Sequence, residues 1–268
     1  MGTQQLLGMI RYELLMAWRR GSSRVILVVI AGMPLLAYFA FVSSAYKQAE
    51  EIAQLTADGA RWYRTAMTIS DNVFLIPVII FLVPLLYAET IPLDRQWRVR
   101  ELLGALPLPR GGYLAGKMLA VWASLTATLL VAAAINVGMS LAYRGSFEVG
   151  PLAMFWTLGL GLMTLFGSQM GVMLAASQPD RRRAILMGML AIVISFGGFV
   201  ALPAIDILWA GFIQAAFIPG HPTIDVSRYP AYPDLASPLM LGRIALVALV
   251  MAAVWQATVR LMERAESS

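Results

Sequence analysis

The sequence contains no cysteine and only one histidine, which removes several common kinds of site. Without cysteine there is no disulfide, no thiolate metal site and no thiol nucleophile. The single histidine, His221, has neither a cysteine nor a second histidine with which to bind a metal. We interpret it as an exposed loop residue. Charge is scarce as well, since 13% of the residues are charged, against roughly 25% in an ordinary soluble domain.

Hydrophobic residues replace the missing charge and make up 59% of the 268 residues. A chain with so few charges cannot expose most of its surface to water, so the sequence predicts an all-α integral membrane protein. The net charge of +5 is typical of proteins that bind nucleic acid and of proteins that bind anionic lipid. The distribution of the basic residues over the loops decides between these two partners.

Six apolar segments are long enough to cross a bilayer as helices. A hydrocarbon core about 30 Å thick requires about 20 predominantly apolar residues. The six segments are Val25–Tyr46, Asn72–Ala88, Met118–Tyr143, Val149–Gln178, Ala184–Ile205 and Pro238–Val259. Ser237 followed by Pro238 suits the cap and the first position of the last helix. The sequence therefore predicts six transmembrane helices in one membrane domain that covers residues 1–268.

A seventh uncharged stretch, Ile207–Ile224, lies before the last predicted span. It follows Asp206 with almost no connecting loop and is interrupted by Pro219 and Pro222. It is therefore too short and too broken to span comfortably, and we expect a re-entrant or interfacial segment within the outer region 206–237.

Lys and Arg are distributed unequally between the two sides of the predicted bundle, and the excess marks the cytoplasmic side. One side carries fourteen of them: Arg11, Arg19, Arg20, Arg24, Arg95, Arg98, Arg100, Arg110, Lys117, Arg181, Arg182, Arg183, Arg260 and Arg264. The other side carries six: Lys47, Arg61, Arg64, Arg144, Arg228 and Arg243. We therefore expect both termini in the cytoplasm, a location in the plasma or inner membrane, and no binding to nucleic acid.

The amino-terminal residues 1–23 form an amphipathic pattern. Leu7, Ile10, Leu14 and Trp18 recur at helical spacing, which predicts a helix lying in the membrane interface. The alternative is a simple cytoplasmic extension of the first span. Gly21, Ser22 and Ser23 follow directly and favour a bend, and hence a separate elbow helix.

A second amphipathic stripe lies in the longest cytoplasmic loop, 89–117. Val99, Leu102, Leu103 and Leu106 stand at positions i, i+3, i+4 and i+7, and the prolines at 107 and 109 end the pattern. A short helix of this kind suits docking into a groove of another protein. It equally suits a basic helix lying on lipid headgroups.

The same loop resembles the cytoplasmic signature of ABC-2 type transporter permeases. The resemblance lies in Glu101-Leu102-Leu103-Gly104-Ala105-Leu106-Pro107-Leu108-Pro109-Arg110, followed by Tyr113-Leu114-Ala115-Gly116-Lys117 at the head of the third span. The family also has an acidic residue after its second helix, and Glu89 and Asp94 are both candidates for it. An amino-terminal elbow, six spans and an interrupted segment before the last helix extend the resemblance over the whole chain.

The resemblance implies a permease subunit of an exporter, which is not itself an enzyme and binds no cofactor. A separate ATP-binding cassette ATPase would bind ATP and magnesium, and a second permease, identical or related, would complete the membrane part. The residues that would contact the ATPase are Arg95, Arg98, Val99, Glu101, Leu102, Leu103 and Leu106.

Gly111 to Lys117 also reads GxxxxGK, but Met118 follows where a phosphate-binding loop needs Ser or Thr. We expect Lys117 to anchor the third span at the inner headgroups.

Polar residues within the spans are few, and Asn136, Gln169 and Ser195 are candidates for a translocation path. Such residues also bond across to neighbouring helices without any path. Small-residue pairs on the fourth span (Gly167 and Gly171) and on the third (Ala134 and Gly138) predict close helix packing.

A membrane-embedded enzyme that modifies lipid and a non-transporting membrane scaffold are the alternatives to a permease.

Overall fold

The computed structural model describes residues 3–19, 21–53, 57–96, 110–176, 178, 180–201 and 237–267. Every regular element in these ranges is a helix. The helices of the first half are α1 (Thr3–Arg19), α2 (Gly21–Ala53), α3 (Ala57–Ser70), α4 (Leu75–Ala88) and α5 (Thr90–Gln96). Those of the second half are α6 (Arg110–Tyr143), α7 (Val149–Met154), α8 (Leu162–Ala176), α9 (Arg181–Ala201) and α10 (Pro238–Ser267). A 3₁₀ turn, Asp71–Phe74, leads into α4.

The helices have the length and composition of a membrane protein. Within the described ranges, four segments are long and apolar enough to cross a membrane: Leu75–Asp94, Gly111–Tyr143, Val149–Ala176 and Pro238–Arg260. The pair Leu6–Arg19 and Ser23–Phe39 meets the same test only when both are taken together, across a bend of 83°. The described residues therefore contain four segments that could span a membrane, or five with the bent pair, and the six-span topology remains a prediction.

Two predicted elements fall on parts of the chain that the structure does not describe. The helix predicted to couple to the ATPase, within Arg95 to Leu106, lies outside the described residues from position 97 onward, and the predicted re-entrant or interfacial segment Ile207–Ile224 lies wholly outside them. The start of the last helix is described and agrees with the prediction. α10 begins at Pro238, and the Ser237 hydroxyl accepts a hydrogen bond from the Met240 amide at 3.3 Å.

The packed centre of the described bundle is α8, which lies against α4 and α9. The small residues of α8 make this possible. A Cβ built on Gly171 would overlap the carbonyl oxygen of Pro84 and would lie 2.8 Å from the Pro84 Cα. One on Gly167 would lie 3.4 Å from the Ser195 hydroxyl. The predicted role of Gly167 and Gly171 in close helix packing is thus confirmed.

The corresponding prediction for α6 is wrong within one copy of the chain. A Cβ added at Gly138 would meet no atom within 4 Å in the described structure, and Gly138 and Ala134 are both exposed. The physical reason is that α6 turns this face away from α2 and α8. The small size of Ala134 and Gly138 does not by itself show whether their face of α6 packs against another helix.

The amino-terminal helix α1 lies across the start of α6, and its apolar stripe is exposed at its two ends. Leu7 is 60% exposed and Trp18 is 64% exposed, whereas Ile10 and Leu14 between them are partly buried. Exposed apolar side chains of this kind are what a helix in the membrane interface presents to lipid. The break at Gly21 to Ser23 sets α1 at a steep angle to α2, and the interfacial position of α1 remains a prediction.

The fourth predicted span is not a continuous α-helix. Between α7 and α8, residues Phe155–Gly161 form a π-helical turn. A π-helix widens the turn by one residue and shifts the side chains that follow, and such segments are frequent at functional sites. Here the turn brings Phe155 and Leu160 into the core, while Thr157 is exposed.

Candidate functional site

The segments that flank residues 97–109 meet in a buried cluster of charged side chains. α5 ends at Gln96 and α6 begins at Arg110, so both flanks of the loop lie at the same end of α6. We call this end of the bundle the loop end, and the end near Arg144 the turn end. Of the predicted ATPase-contact residues, Arg95 lies on α5, and the other six (Arg98, Val99, Glu101, Leu102, Leu103 and Leu106) fall outside the described residues.

Lys117 of α6 is the centre of the cluster. Its ammonium nitrogen lies 2.8 Å from Glu13 Oε1 of α1 and donates a second, short hydrogen bond to Asp94 Oδ2 of α5. The Tyr113 hydroxyl donates to the same Asp94 oxygen at 2.5 Å. The Lys117 ammonium also stands 5.4 Å from the centre of the Tyr113 ring. One cation thus joins three helices through two carboxylates.

The expected anchoring of Lys117 at lipid headgroups is wrong. The Lys117 side chain is 0% exposed, and those of Glu13 and Asp94 are 7% and 5% exposed. A buried ammonium must be paired, because transfer of an unpaired charge from water into a protein interior is very costly. The two carboxylates therefore hold Lys117 inside the protein, where it cannot reach the lipid.

Close packing brings α1 near enough for this ion pair. Met9 of α1 contacts Gly116, where an added Cβ would lie only 2.7 Å from the Met9 sulfur. Met9 and Glu13 are four residues apart and so lie on one face of α1. Gly116 next to Lys117 thus provides both the space for α1 and the charge that binds it.

A small cavity adjoins the cluster. Its volume of about 10 Å³ is close to that of one water molecule, and Glu13, Lys117 and Thr90 are among its lining residues. The Thr90 hydroxyl is buried and has no hydrogen-bond partner among the protein atoms. A single water molecule there would satisfy the hydroxyl and solvate the ion pair.

Glu89 makes a second ion pair at the loop end. Its Oε2 lies 3.1 Å from a guanidinium nitrogen of Arg181, at the start of α9. The Arg181 side chain is 60% exposed, so this pair stabilises the fold only weakly. Glu89 and Asp94, the two acidic residues that follow the second predicted span, are therefore both paired. Asp94 is bound to the head of α6 in the interior, and Glu89 is bound to α9 at the surface.

The turn end of α6 carries a separate ion pair. The Arg144 guanidinium donates to Asp71 Oδ2 at 2.5 Å, and their side chains are 5% and 11% exposed. The neighbouring Thr68 hydroxyl donates to Ser140 at 3.1 Å. Burial raises the pKa of Asp71 above its usual value of 3.8, because the loss of hydration outweighs the opposing attraction of Arg144.

The three predicted path residues are buried but differ in their bonding. Gln169 Nε2 donates to the Met251 carbonyl oxygen of α10 at 2.7 Å, which is the cross-helix role that competes with a path. Gln169 Oε1, Asn136 Oδ1 and the Ser195 hydroxyl have no partner among the protein atoms. Their place in a translocation path remains a prediction.

Sequence reasoning missed the buried cluster, and the reason is distance along the chain. Glu13 and Lys117 are 104 residues apart, and Asp94 and Lys117 are 23 apart. No motif links such positions. The available signal was Glu13 itself, the one acidic residue in the amphipathic start of the chain.

Comparisons with protein-family models, with curated proteins and with solved structures returned no match for this chain. Among the residues that the structure describes, no group of three or more His, Cys, Asp or Glu side chains is placed to hold a metal ion.

Proposed function

We propose that the chain is the permease subunit of an ATP-binding cassette exporter, and that residues 97–109 receive the motion of a separate ATPase. The observation that carries this proposal is the Lys117 cluster. It binds the segment before the loop, through Asp94, to the segment after it, through Lys117. It also binds both to the amino-terminal helix through Glu13.

Such a junction suits the transmission of force. A loop whose two ends were loosely held would absorb the displacement of a partner without moving the spans. Here both flanks are tied by buried, charge-assisted hydrogen bonds, which are about twice as strong as neutral ones. Displacement of the loop would therefore move the ends of α4 and α6 together, and α1 with them.

The energy would come from the partner. Two ATPase subunits that close on ATP would draw two such loops together and favour one of two packings of the spans. The permease supplies the two packings, and the differential affinity of the ATPase for them supplies the shift. The close α4–α8 contact at Pro84 and Gly171 would limit where the bundle can bend.

The test is co-purification with an ATP-binding cassette ATPase encoded beside this chain. Leu102→Asp together with Leu103→Asp places charge on the predicted apolar stripe and should abolish both co-purification and the stimulation of ATP hydrolysis. Ala105→Asp adds the same charge off the stripe and should preserve both. If the double variant still binds and stimulates the ATPase, the coupling role assigned to 97–109 is wrong.

A further inference from the structure

The exposed surface of α1 forms one continuous arc around the helix. Its exposed residues are Gln4, Leu7, Gly8, Arg11, Tyr12, Leu15, Trp18 and Arg19. At about 100° per residue, these positions fall within an arc of about 140°. Met9 and Glu13, the residues of α1 that contact Gly116 and Lys117, lie outside this arc. We call the exposed surface the α1 face.

The charge on the α1 face has one sign. Arg11 and Arg19 are both exposed, and neither has an ion-pair partner among the described residues. The one acidic residue of α1 is Glu13, which is buried against Lys117. The buried cluster thus removes the negative charge of α1 from its surface. The face that remains is uniformly basic and fits an anionic partner.

Large apolar side chains alternate with the two arginines around the arc. Leu7, Leu15 and Trp18 are 60%, 51% and 64% exposed, and Arg11 lies between Trp18 and Leu15 in the helical projection. Water solvates the arginines but not these apolar side chains. Hydrocarbon has the opposite defect, because it would leave each guanidinium buried without a partner. The headgroup layer of a bilayer suits both, since apolar side chains enter the acyl-chain boundary there while arginines reach phosphate.

The orientation of α1 brings this face to the bilayer surface. α1 meets α2 at 83°, so a membrane-crossing α2 places α1 close to the membrane plane. Val25 and Val28, near the start of α2, are 63% and 67% exposed. Exposed apolar surface therefore continues from Trp18 onto the side of α2. A bilayer contacts both parts of this surface at once, which favours lipid over a partner protein as its occupant.

We propose that the α1 face selectively binds anionic phospholipid headgroups of the adjacent leaflet, with Arg11 and Arg19 donating to their phosphate oxygens. A zwitterionic headgroup carries its own cation beside the phosphate, so it neutralises two unpaired arginines less well than a headgroup with net negative charge. The proposal adds a lipid class and two selecting residues to the predicted interfacial position of α1. It requires no ATPase and stands independently of the proposed function.

The experiment uses the full chain carrying Gln4→Cys in phosphatidylcholine vesicles at low salt. Because the chain has no native cysteine, a fluorescent donor attaches at this position alone. A trace acceptor fluorophore is carried on an acyl chain of phosphatidylglycerol in one sample and of phosphatidylcholine in the other. Energy transfer gives the association constant of each acceptor lipid near α1, and the ratio of the two constants measures the preference for anionic lipid.

The expected ratio is well above one. Arg11→Gln and Arg19→Gln should each lower it about fivefold, the factor that one arginine near an anionic membrane surface contributes. The double variant should bring it near one. Arg61→Gln is the matched control, because it removes an exposed arginine from α3, which packs at the turn end, and should leave the ratio unchanged.

Two further outcomes separate lipid from other occupants. Inorganic phosphate added at constant ionic strength should leave the ratio unchanged, and a ratio that phosphate abolishes overturns the lipid assignment in favour of a free anion. A wild-type ratio near one overturns the proposal. Energy transfer between donor-labelled chains would then assign the α1 face to a second copy of the chain. A ratio lowered equally by Arg61→Gln overturns the selecting role of Arg11 and Arg19.

Discussion

The ammonium nitrogen of Lys117 lies 2.8 Å from the carboxylate of Glu13, although 104 residues separate them along the chain. This contact joins the amino-terminal helix to the head of α6. Because the pair is buried, its two halves depend on each other far more than a surface pair would. The described structure should therefore be sensitive to single changes of charge at this point.

Lys117→Met should lower the free energy of unfolding by about 3–5 kcal/mol, because it removes the ammonium group that pairs with the buried carboxylates of Glu13 and Asp94. The measurement is thermal or denaturant unfolding of the purified protein in detergent. Arg11→Met removes an exposed charge from α1, the helix that carries Glu13, and should change stability by less than about 0.5 kcal/mol.

Removing the whole cluster should cost less than removing its centre. The triple variant Glu13→Met, Asp94→Leu and Lys117→Met replaces the ions by apolar side chains, and such replacements are often neutral. We expect it to be more stable than Lys117→Met alone. A triple variant that is less stable than the single one would show that these residues do not act as one ion cluster.

Gly171→Ala should destabilise the protein by about 2–3 kcal/mol, since the added methyl group meets the backbone of Pro84 and forces α4 and α8 apart. Gly138→Ala is the matched control, because a methyl group there meets nothing within 4 Å. Unfolding of both variants under the same conditions checks the contrast. Equal effects at the two positions would contradict the close α4–α8 contact.

The raised pKa of Asp71 predicts a pH dependence of stability. A carboxyl group whose pKa is higher in the folded protein binds its proton more tightly there. Its contribution to the free energy of unfolding is therefore fully present at a pH below its pKa in the unfolded chain. That contribution is lost as the pH rises from about 3.8 through the folded pKa. As pH rises through this window, wild type should therefore lose stability relative to Asp71→Asn, and the unfolding midpoint of wild type minus that of the variant should fall.

The slope of that difference carries the test, because exchanging a neutral carboxyl group for an amide shifts stability by an amount that does not depend on pH. The loss of the ion pair with Arg144 enters only where Asp71 is ionised, and it is part of the slope. Other carboxylates titrate in both proteins and cancel. A slope of the opposite sign would mean that the attraction of Arg144 outweighs burial, and that the pKa of Asp71 lies below its usual value.

Gly145 follows α6 and has a φ of +84°, which L-residues with a side chain rarely adopt. Gly145→Ala should cost about 1–2 kcal/mol for the backbone alone. Space is not the cause, since a Cβ would lie in ordinary contact with Arg64, at 3.6 Å. Gly242 lies inside α10, and a Cβ added there would meet no atom within 4 Å. Gly242→Ala should therefore raise the free energy of unfolding by about 0.5–1 kcal/mol. Unfolding measurements on both variants test whether Gly145→Ala lowers stability while Gly242→Ala raises it.

Much of the helical fold could be predicted because apolar length is a local property. The second, third, fourth and sixth predicted spans overlap helical segments that are long and apolar enough to cross a membrane, and the cap at Ser237 follows from two adjacent residues. Helix contacts could be predicted only where the small residues face a neighbour. Gly171 and Gly138 look alike in the sequence, yet one packs on Pro84 and the other is exposed.

The candidate site could not be predicted in the same way. Lys117 has the position of a headgroup anchor at the start of a span, and only the partner residues on α1 and α5 distinguish a buried lysine from such an anchor. The π-helical turn was equally hidden, because Phe155–Gly161 continues the apolar pattern of its span without a proline. The burial of Lys117 depends on neighbours far away in the chain.

The two ion clusters at opposite ends of α6 give that helix a fixed length between charges. Lys117 and Arg144 are 27 residues apart, or roughly 40 Å at about 1.5 Å per residue. Neither end can extend its charge outward to follow a thicker bilayer, because both are paired inside the protein. The helix can respond to a thinner membrane only by tilting or by thickening the lipid around it. Bilayer thickness alone should therefore change the tilt of α6, without any lipid bound at a specific site.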